Sequence, residues 1–497
     1  MPRPAICVFA LAASAACGSG GGESSGPPPP PTPAAVASVD VQPTTGTIDP
    51  GQTLQLTATP RDASGTALSR PVTWTTSSAT IATVSTSGLV SAVTAGAATI
   101  TATSEGRLGT AAITIPPFLA TACSGGNPVV VLVVDRRLSS TVLSAMARFE
   151  SDLCADGYTV LRTRQPFANP VELKNELKNL NTQTNGRLTG AILIGDQPRA
   201  YQYVTLVSTN PNIPNTNEET ISYQFYSDLD GTFSASANYH SPGGKPYSYD
   251  QHSGNTAWEI WIGVLPMYQG DLAKTELALV RYFQKNHDYR TGVNALPRTF
   301  VQVSEHATAA TQTEHNNVLA SFRTGQYAWQ PFSTATTARI YFNSPPASLT
   351  VDQGYAALSS GNGDFFVGEA HGSYLGHGKL SITWAESNPV RTAFFWSDGC
   401  AVANLDQPSN FLSAVLYATG SSVVAAKGTT NNSGGLGTNS DGFYGRNVAT
   451  HMTSGSAFGA AVVKHVNVPL ISPWLGSREF HYATAVLLGD PTLKLRP

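Results

Sequence analysis

Cys400 and His371 are residue types that together make a thiol nucleophile and its general base, and the chain gives both the same local setting. His371 ends the stretch Asp364-Phe-Phe-Val-Gly-Glu-Ala-His371-Gly372; Cys400 ends Ala393-Phe-Phe-Trp-Ser-Asp-Gly-Cys400. Each is a short aromatic or β-branched run that stops at small residues, the pattern of a buried strand in a mostly parallel sheet. In open α/β sheets chemistry sits just beyond the carboxyl ends of the strands. The two residues are 29 positions apart, room for one return crossing between neighbouring strands. A thiol attacks well only as thiolate, which a nearby imidazole and main-chain N–H groups favour. The same N–H groups can stabilise a tetrahedral oxyanion, a contribution of ~3 kcal/mol per donor in hydrolases. Gly372 suits this because the backbone must come close to a substrate.

Other readings compete for these residues. A lone cysteine is commonly a buried, inert thiol. His377-Gly378 is a second His-Gly pair six residues on, but Ser373-Tyr-Leu-Gly before it reads as a loop. Glu369, His371 and His377 could hold a metal for a metal-dependent hydrolase, at a spacing that fits no helical ligand motif. Gly378-Lys379 fails as a phosphate loop because Leu380 stands in the Ser/Thr place. Asp228-Leu-Asp230-Gly could bind a structural calcium ion, or be a solvated turn. Lys427 is expected to be exposed, with a place in a substrate pocket as the alternative.

The surrounding pattern is α/β from Pro128 onward. Val129-Val-Val-Leu-Val-Val-Asp135, Ala191-Ile-Leu-Ile-Gly-Asp196, Glu259-Ile-Trp-Ile-Gly, Thr299-Phe-Val-Gln-Val and Ser422-Val-Val-Ala-Ala read as strands. Ser139 to Cys154, Val171 to Leu180 and Leu272 to His287 read as helices between them, which implies a parallel sheet covered on both faces.

The first third differs. Arg3, the apolar stretch Ala5 to Ala13 and Ser14-Ala-Ala-Cys17 read as an export signal. Cys17 stands where a bacterial lipoprotein is lipidated, although Ser14 replaces the usual leucine, so ordinary signal cleavage and secretion are the alternative. Residues 18–35, rich in Gly, Ser and Pro, make a spacer. Seven period-2 runs between Val36 and Pro116 predict an all-β sandwich, from Ser38-Val-Asp-Val-Gln to Ala111-Ala-Ile-Thr-Ile. A net charge of −3 with 12% charged residues gives no reason to expect nucleic acid.

Two resemblances follow from these motifs. Val72-Thr-Trp, Ile81-Ala-Thr-Val-Ser-Thr-Ser-Gly-Leu-Val-Ser-Ala and Ala95-Gly-Ala-Ala-Thr-Ile resemble the bacterial group 2 immunoglobulin-like repeat, which implies a stalk or adhesive module over 36–117. Residues 118–497 resemble the gingipain-type cysteine peptidases, relatives of caspases and legumain. The match is carried in order by Ile192-Leu-Ile-Gly-Asp, Tyr226-Ser-Asp-Leu-Asp-Gly, Trp258-Glu-Ile-Trp-Ile-Gly, Ala370-His-Gly, Ser397-Asp-Gly-Cys, Gly455-Ser-Ala-Phe-Gly-Ala-Ala and Leu487-Leu-Gly-Asp-Pro-Thr-Leu-Lys-Leu. The resemblance implies a caspase-like (gingipain-like) α/β domain with a mostly parallel sheet. It implies Cys400 as nucleophile, His371 as base, and the N–H groups of Gly372 and Cys400 as oxyanion hole. Glu259 matches the acid that supports the histidine, with Val264 in place of the arginine usual after Ile-Gly.

The expectation is an exported cysteine endopeptidase acting on protein or peptide, with no required cofactor, touching a membrane only through an N-terminal lipid. The alternative is a surface adhesin whose peptidase-like domain is catalytically silent. Of five cysteines, Cys123 and Cys154 remain for a disulfide, at the start of the first strand and the end of the helix that runs back. A fully parallel sheet would put that bridge at the end opposite the active site.

Overall fold

The computed structural model describes residues 33–117, 119–120, 123, 128–206, 216–293, 296–297, 300–305, 339–342, 351–361, 363–430, 448–449, 451–452, 454–467 and 483–495. The stretch read as an export signal, Cys17 and most of the stretch read as a spacer lie outside them. No helix among the described residues is long and apolar enough to cross a membrane.

Residues 36–115 fold as an immunoglobulin-like sandwich. One sheet joins Thr45–Thr47, Arg107–Ile115, Gly96–Ser104 and Thr73–Thr76; a second joins Thr53–Gln55, Leu89–Ala92 and Ala82–Val84. Ser38–Gln42 pairs with Thr57–Arg61. Alternation decides which side chains go inside: Ala111, Ile113 and Ile115 are buried while Thr110, Ala112 and Thr114 face water. Ile100, Val90 and Leu56 complete the core from the other strands.

The α/β domain is built on one sheet whose strands we number in chain order: β1 Leu119–Ala120, β2 Val129–Val134, β3 Thr159–Thr163, β4 Leu188–Gly195, β5 Trp261–Pro266, β6 Phe300–Ser304, β7 Arg339–Phe342, β8 Phe365–Glu369, β9 Phe394–Ser397, β10 Ala425–Thr429 and β11 Ala485–Gly489. Their order is β1-β3-β2-β4-β5-β11-β10-β9-β8-β6-β7. Every residue of β2, β5, β9 and β10 is buried, as strands covered on both faces require.

Helices cover the faces. α1 (Ser140–Ala155) buries Val142, Met146, Phe149 and Leu153, a stripe at helical spacing. α2 (Pro170–Gln183) starts on an Asn169 cap that accepts from the Glu172 N–H at 3.0 Å, with proline in the first turn. α3 (Leu272–Thr291) is capped by Asp271 and stopped by Gly292 at φ 84°. α4 (Val351–Ser360), α5 (Phe411–Tyr417) and α6 (Phe458–Val466) follow.

Apart from the short edge strand β1, which pairs antiparallel with β3, the sheet is parallel within each half, but β10 and β11 pair antiparallel where the halves meet. This reversal has a consequence for the site. A level row crosses the sheet through Val367, Trp396, Lys427, Leu487 and Gly263. His371 and Cys400 lie four residues past that row on strands running out of the edge; Glu259 lies four residues before it on a strand running in. All three therefore sit at one edge.

A disulfide joins Cys123 and Cys154, with Cα atoms 5.5 Å apart across a separation of 31 residues. Closing such a loop is worth ~3 kcal/mol in the chain-entropy picture. The reversal places it at the edge where β8 and β9 end, not at the opposite edge that a fully parallel sheet would require. Five strand spacings, about 24 Å, separate β2 from β9.

The sandwich docks at the other edge, against the end of β3. Arg162 bonds Asp49 of the sandwich at 2.9 Å and Glu150 of α1 at 2.9 Å, and Asp49 is only 3% exposed. The Ala95 N–H donates to Gln165 Oε1 at 3.0 Å.

Candidate active site

β8 and β9 are adjacent and in parallel register, Phe365 opposite Phe394 and Gly368 opposite Ser397. Their rings stack in pairs across the strands, Phe365 on Phe394 at 5.7 Å and Phe366 on Phe395 at 4.9 Å. The two strands end together, and the loops beyond them touch. The Asp398 N–H donates to the Gly368 carbonyl at 3.0 Å. A Cβ built on Gly372 would stand 2.8 Å from the Gly399 Cα and 2.8 Å from Val402 Cγ1, so only glycine fits there.

Cys400 is half-buried and takes no part in the disulfide. Its turn is stitched from both sides by Thr429 at the end of β10: Thr429 Oγ1 donates to the Gly399 carbonyl at 2.8 Å and accepts from the Ala401 N–H at 3.1 Å. Ala401 holds the left-handed region at φ 52°, a conformation that costs a non-glycine residue of order 1 kcal/mol. Strain of this kind directly after a candidate nucleophile is common at functional sites.

His371 is exposed at the mouth of a small hairpin in which Gly372 pairs with His377 and Ser373 with Gly376. The Gly378 N–H donates to the His371 carbonyl at 2.7 Å. Three neighbours hold the hairpin. Glu305, at the end of β6, accepts from the Lys379 N–H at 3.3 Å and from Tyr355 Oη of α4 at 2.7 Å. The Phe411 N–H at the start of α5 donates to the Tyr374 carbonyl at 2.8 Å. His377 reaches Ser397 on β9, Nδ1 to Oγ, at 2.8 Å.

His377, read from sequence as a rival base after a loop, is fully buried in that hairpin and stacks on Phe411. Its short strand pieces carry too few residues for periodicity to reveal them. Lys427 differs too: it is 7% exposed, not a surface lysine, 3.2 Å from Asp398 and 4.8 Å above the Trp396 ring. Trp396 Nε1 donates to the same carboxylate oxygen at 2.7 Å. A charged pair thus sits two residues before Cys400.

Glu259 precedes β5, as His371 follows β8. Three strands lie between β5 and β8, about 19 Å of sheet. Its carboxylate accepts from the Leu229 N–H at 2.7 Å and lies within 4.8 Å of those of Asp228 and Asp230. Although the residue keeps a solvent-facing side, local desolvation raises its carboxyl above the ordinary value, and Asp230 and Asp228 push the same way. Buried Asp228 is also raised by burial, against bonds from the Gly231 N–H at 2.6 Å and His252 Nε2 at 2.8 Å. Lys174 sits beside these acids, its amine donating to the Gly231 carbonyl at 3.0 Å and lowered by burial to about 8.

Among the described residues, Asp228, Asp230 and Glu259 are the group of His, Cys, Asp or Glu side chains close enough to share a metal; His371 and His377 form none. The Glu369 side chain lies outside the described residues.

The α/β domain has counterparts among known proteins. The description "Peptidase family C25" matches residues 155–496, most of the chain. The chain belongs to that family. "Bacterial Ig-like domain (group 2)" matches residues 35–115. The crystal structure of the Arg-specific cysteine proteinase gingipain R is similar in fold, with TM-score 0.50 and 12% identity over 75% of this chain and 79% of that one. Domains 4 and 5 of the S-layer protein SbsC overlap at 24% identity over 16% of this chain and 53% of that one, but a TM-score of 0.16 carries no weight. No curated protein matches the chain. The C25 membership and the gingipain likeness make the α/β domain a cysteine-peptidase fold.

Proposed function

We propose that the chain is a cysteine endopeptidase in which Cys400 attacks the peptide carbonyl and His371 moves the protons. The observation that carries this reading is the in-register pairing of β8 and β9, which ends both strands at one level and brings Gly372 against Gly399. The imidazole of His371 would take the thiol proton as the thiolate forms. Attack of sulfur on the carbonyl carbon yields a tetrahedral oxyanion, which the N–H groups of Gly372 and Cys400 would receive. Collapse breaks the C–N bond as His371 returns its proton to the leaving amine. Water, deprotonated by the same imidazole, then releases the acyl group from sulfur.

Glu259 takes no direct part in this reading; its carboxylate belongs with those of Asp228 and Asp230. No cofactor enters this reading, because the thiol and the imidazole supply the chemistry; calcium at Asp228, Asp230 and Glu259 would be structural. The N-terminal signal and Cys17 support export and lipid anchoring on the cell surface, with the sandwich as stalk. Hydrolysis of a peptide library tests the activity: cleavage by the wild-type chain and none by Cys400→Ala is expected. Equal cleavage by both would refute it, and no cleavage by either would favour a silent binding module.

A further inference from the structure

We infer that His377 and Ser397 form a clamp that sets the spacing between the Cys400 thiol and the His371 imidazole. The inference rests on His371 being the base. Strand register fixes where β8 and β9 end, but not how the two loops beyond them lean. His377 is tied to the base's loop at its backbone: it pairs with Gly372, and its neighbour Gly378 donates to the His371 carbonyl at 2.7 Å. It is tied to the nucleophile's loop by its ring: Nδ1 lies 2.8 Å from Ser397 Oγ, which accepts from the Gly399 N–H at 3.2 Å. One side chain therefore spans both loops through a chain of short, directional contacts.

The ring has no freedom to drift. It stacks on Phe411 with centroids 6.2 Å apart, and a Cβ on Gly399 would meet Nδ1 at 2.7 Å. With 0% exposure, water is not at hand to replace the bond to Ser397. His377 and Ser397 are positioning residues: neither faces solvent where a substrate would lie, and both act through the pair they align.

The test uses the full chain, a fluorogenic peptide, and the pH dependence of Cys400 alkylation by iodoacetamide. His377→Phe keeps the stacked ring and removes the nitrogen; Ser397→Ala removes the same bond from the other side. Each should lower kcat about 10- to 100-fold, since a misplacement near 1 Å costs that much, with KM changed by less than about twofold. The double variant should be no worse than the worse single, because both remove one bond. His377→Asn, whose amide can reach the Nδ1 position, should recover part of the loss. Alkylation at acidic pH should slow in both single variants. Wild-type kcat and alkylation profile in Ser397→Ala would overturn the clamp while leaving His371 as base, and Ser397→Ala decides if His377→Phe fails to fold. An active His371→Ala beside an inactive His377→Phe would instead make His377 the base and overturn the underlying reading as well.

Discussion

Gly372 and Gly399 approach so closely that neither could carry a side chain: a Cβ on the first would lie 2.8 Å from the Cα of the second, and a Cβ on the second 3.2 Å from the Cα of the first. This contact joins the loop of the histidine to the turn of the cysteine. Gly372→Ala should therefore push backbone against backbone. We expect kcat to fall at least about 100-fold with a loss of stability of about 1–3 kcal/mol, the range for overpacking. Peptide hydrolysis and thermal unfolding on the same sample check it; an active Gly372→Ala enzyme would mean the loops do not need this contact.

The pair Lys427–Asp398 makes a second case. Both side chains are nearly buried, at 9% and 6% exposure. Lys427→Met should take away the cation that faces Asp398 and destabilise by about 3–5 kcal/mol, the usual cost of removing one member of a buried pair. Adding Asp398→Asn to it should recover most of that stability. Chemical denaturation of the two single variants and the double variant measures the coupling.

Glu259 offers a pH test with a definite sign. Its carboxyl is raised in the folded chain, so the folded state holds the proton more tightly than the unfolded one. Stability from this group is then present below the unfolded value and lost as pH rises through that value to the folded one. Glu259→Gln should raise Tm at pH 7, and the gain should vanish in acid where Glu259 is protonated. An unchanged kcat is expected as well; a large fall in kcat would bring Glu259 back as direct support of the histidine.

The sandwich docks at the edge opposite Cys400, through Arg162 and Gln165. Deleting residues 18–117 should leave hydrolysis of small peptides within about twofold, because the sandwich has its own core and folds by itself. Arg162, relieved of Asp49, becomes a solvated cation still paired with Glu150. A deletion variant that folds, by circular dichroism, yet loses activity would show that docking reaches the site.

Much of this architecture is legible in the chain. The apolar runs at Val129 and Ala191 announce buried strands, and the Val142–Leu153 stripe announces its helix. The sandwich strands alternate cleanly because one face meets water. Strand direction is not written in composition, so the antiparallel joint between β10 and β11 was hidden, and with it the edge that carries the Cys123–Cys154 bridge. The paired strands Tyr201–Leu206 and Thr216–Ile221 escaped notice because polar residues interrupt them throughout. Ser397 stood in view in Ser-Asp-Gly-Cys; its partner could not be read, since a bond between residues 20 apart leaves no local signal.

The most direct measurement is covalent labelling of the full chain with an electrophilic peptide probe, read by mass spectrometry of the labelled residue at several pH values. Rapid stoichiometric labelling of Cys400 near neutral pH is expected, abolished by Cys400→Ala and slowed at least about 100-fold by His371→Ala. Labelling of Cys400 at the same rate with and without His371, or no labelling above that of a free thiol, would contradict the account.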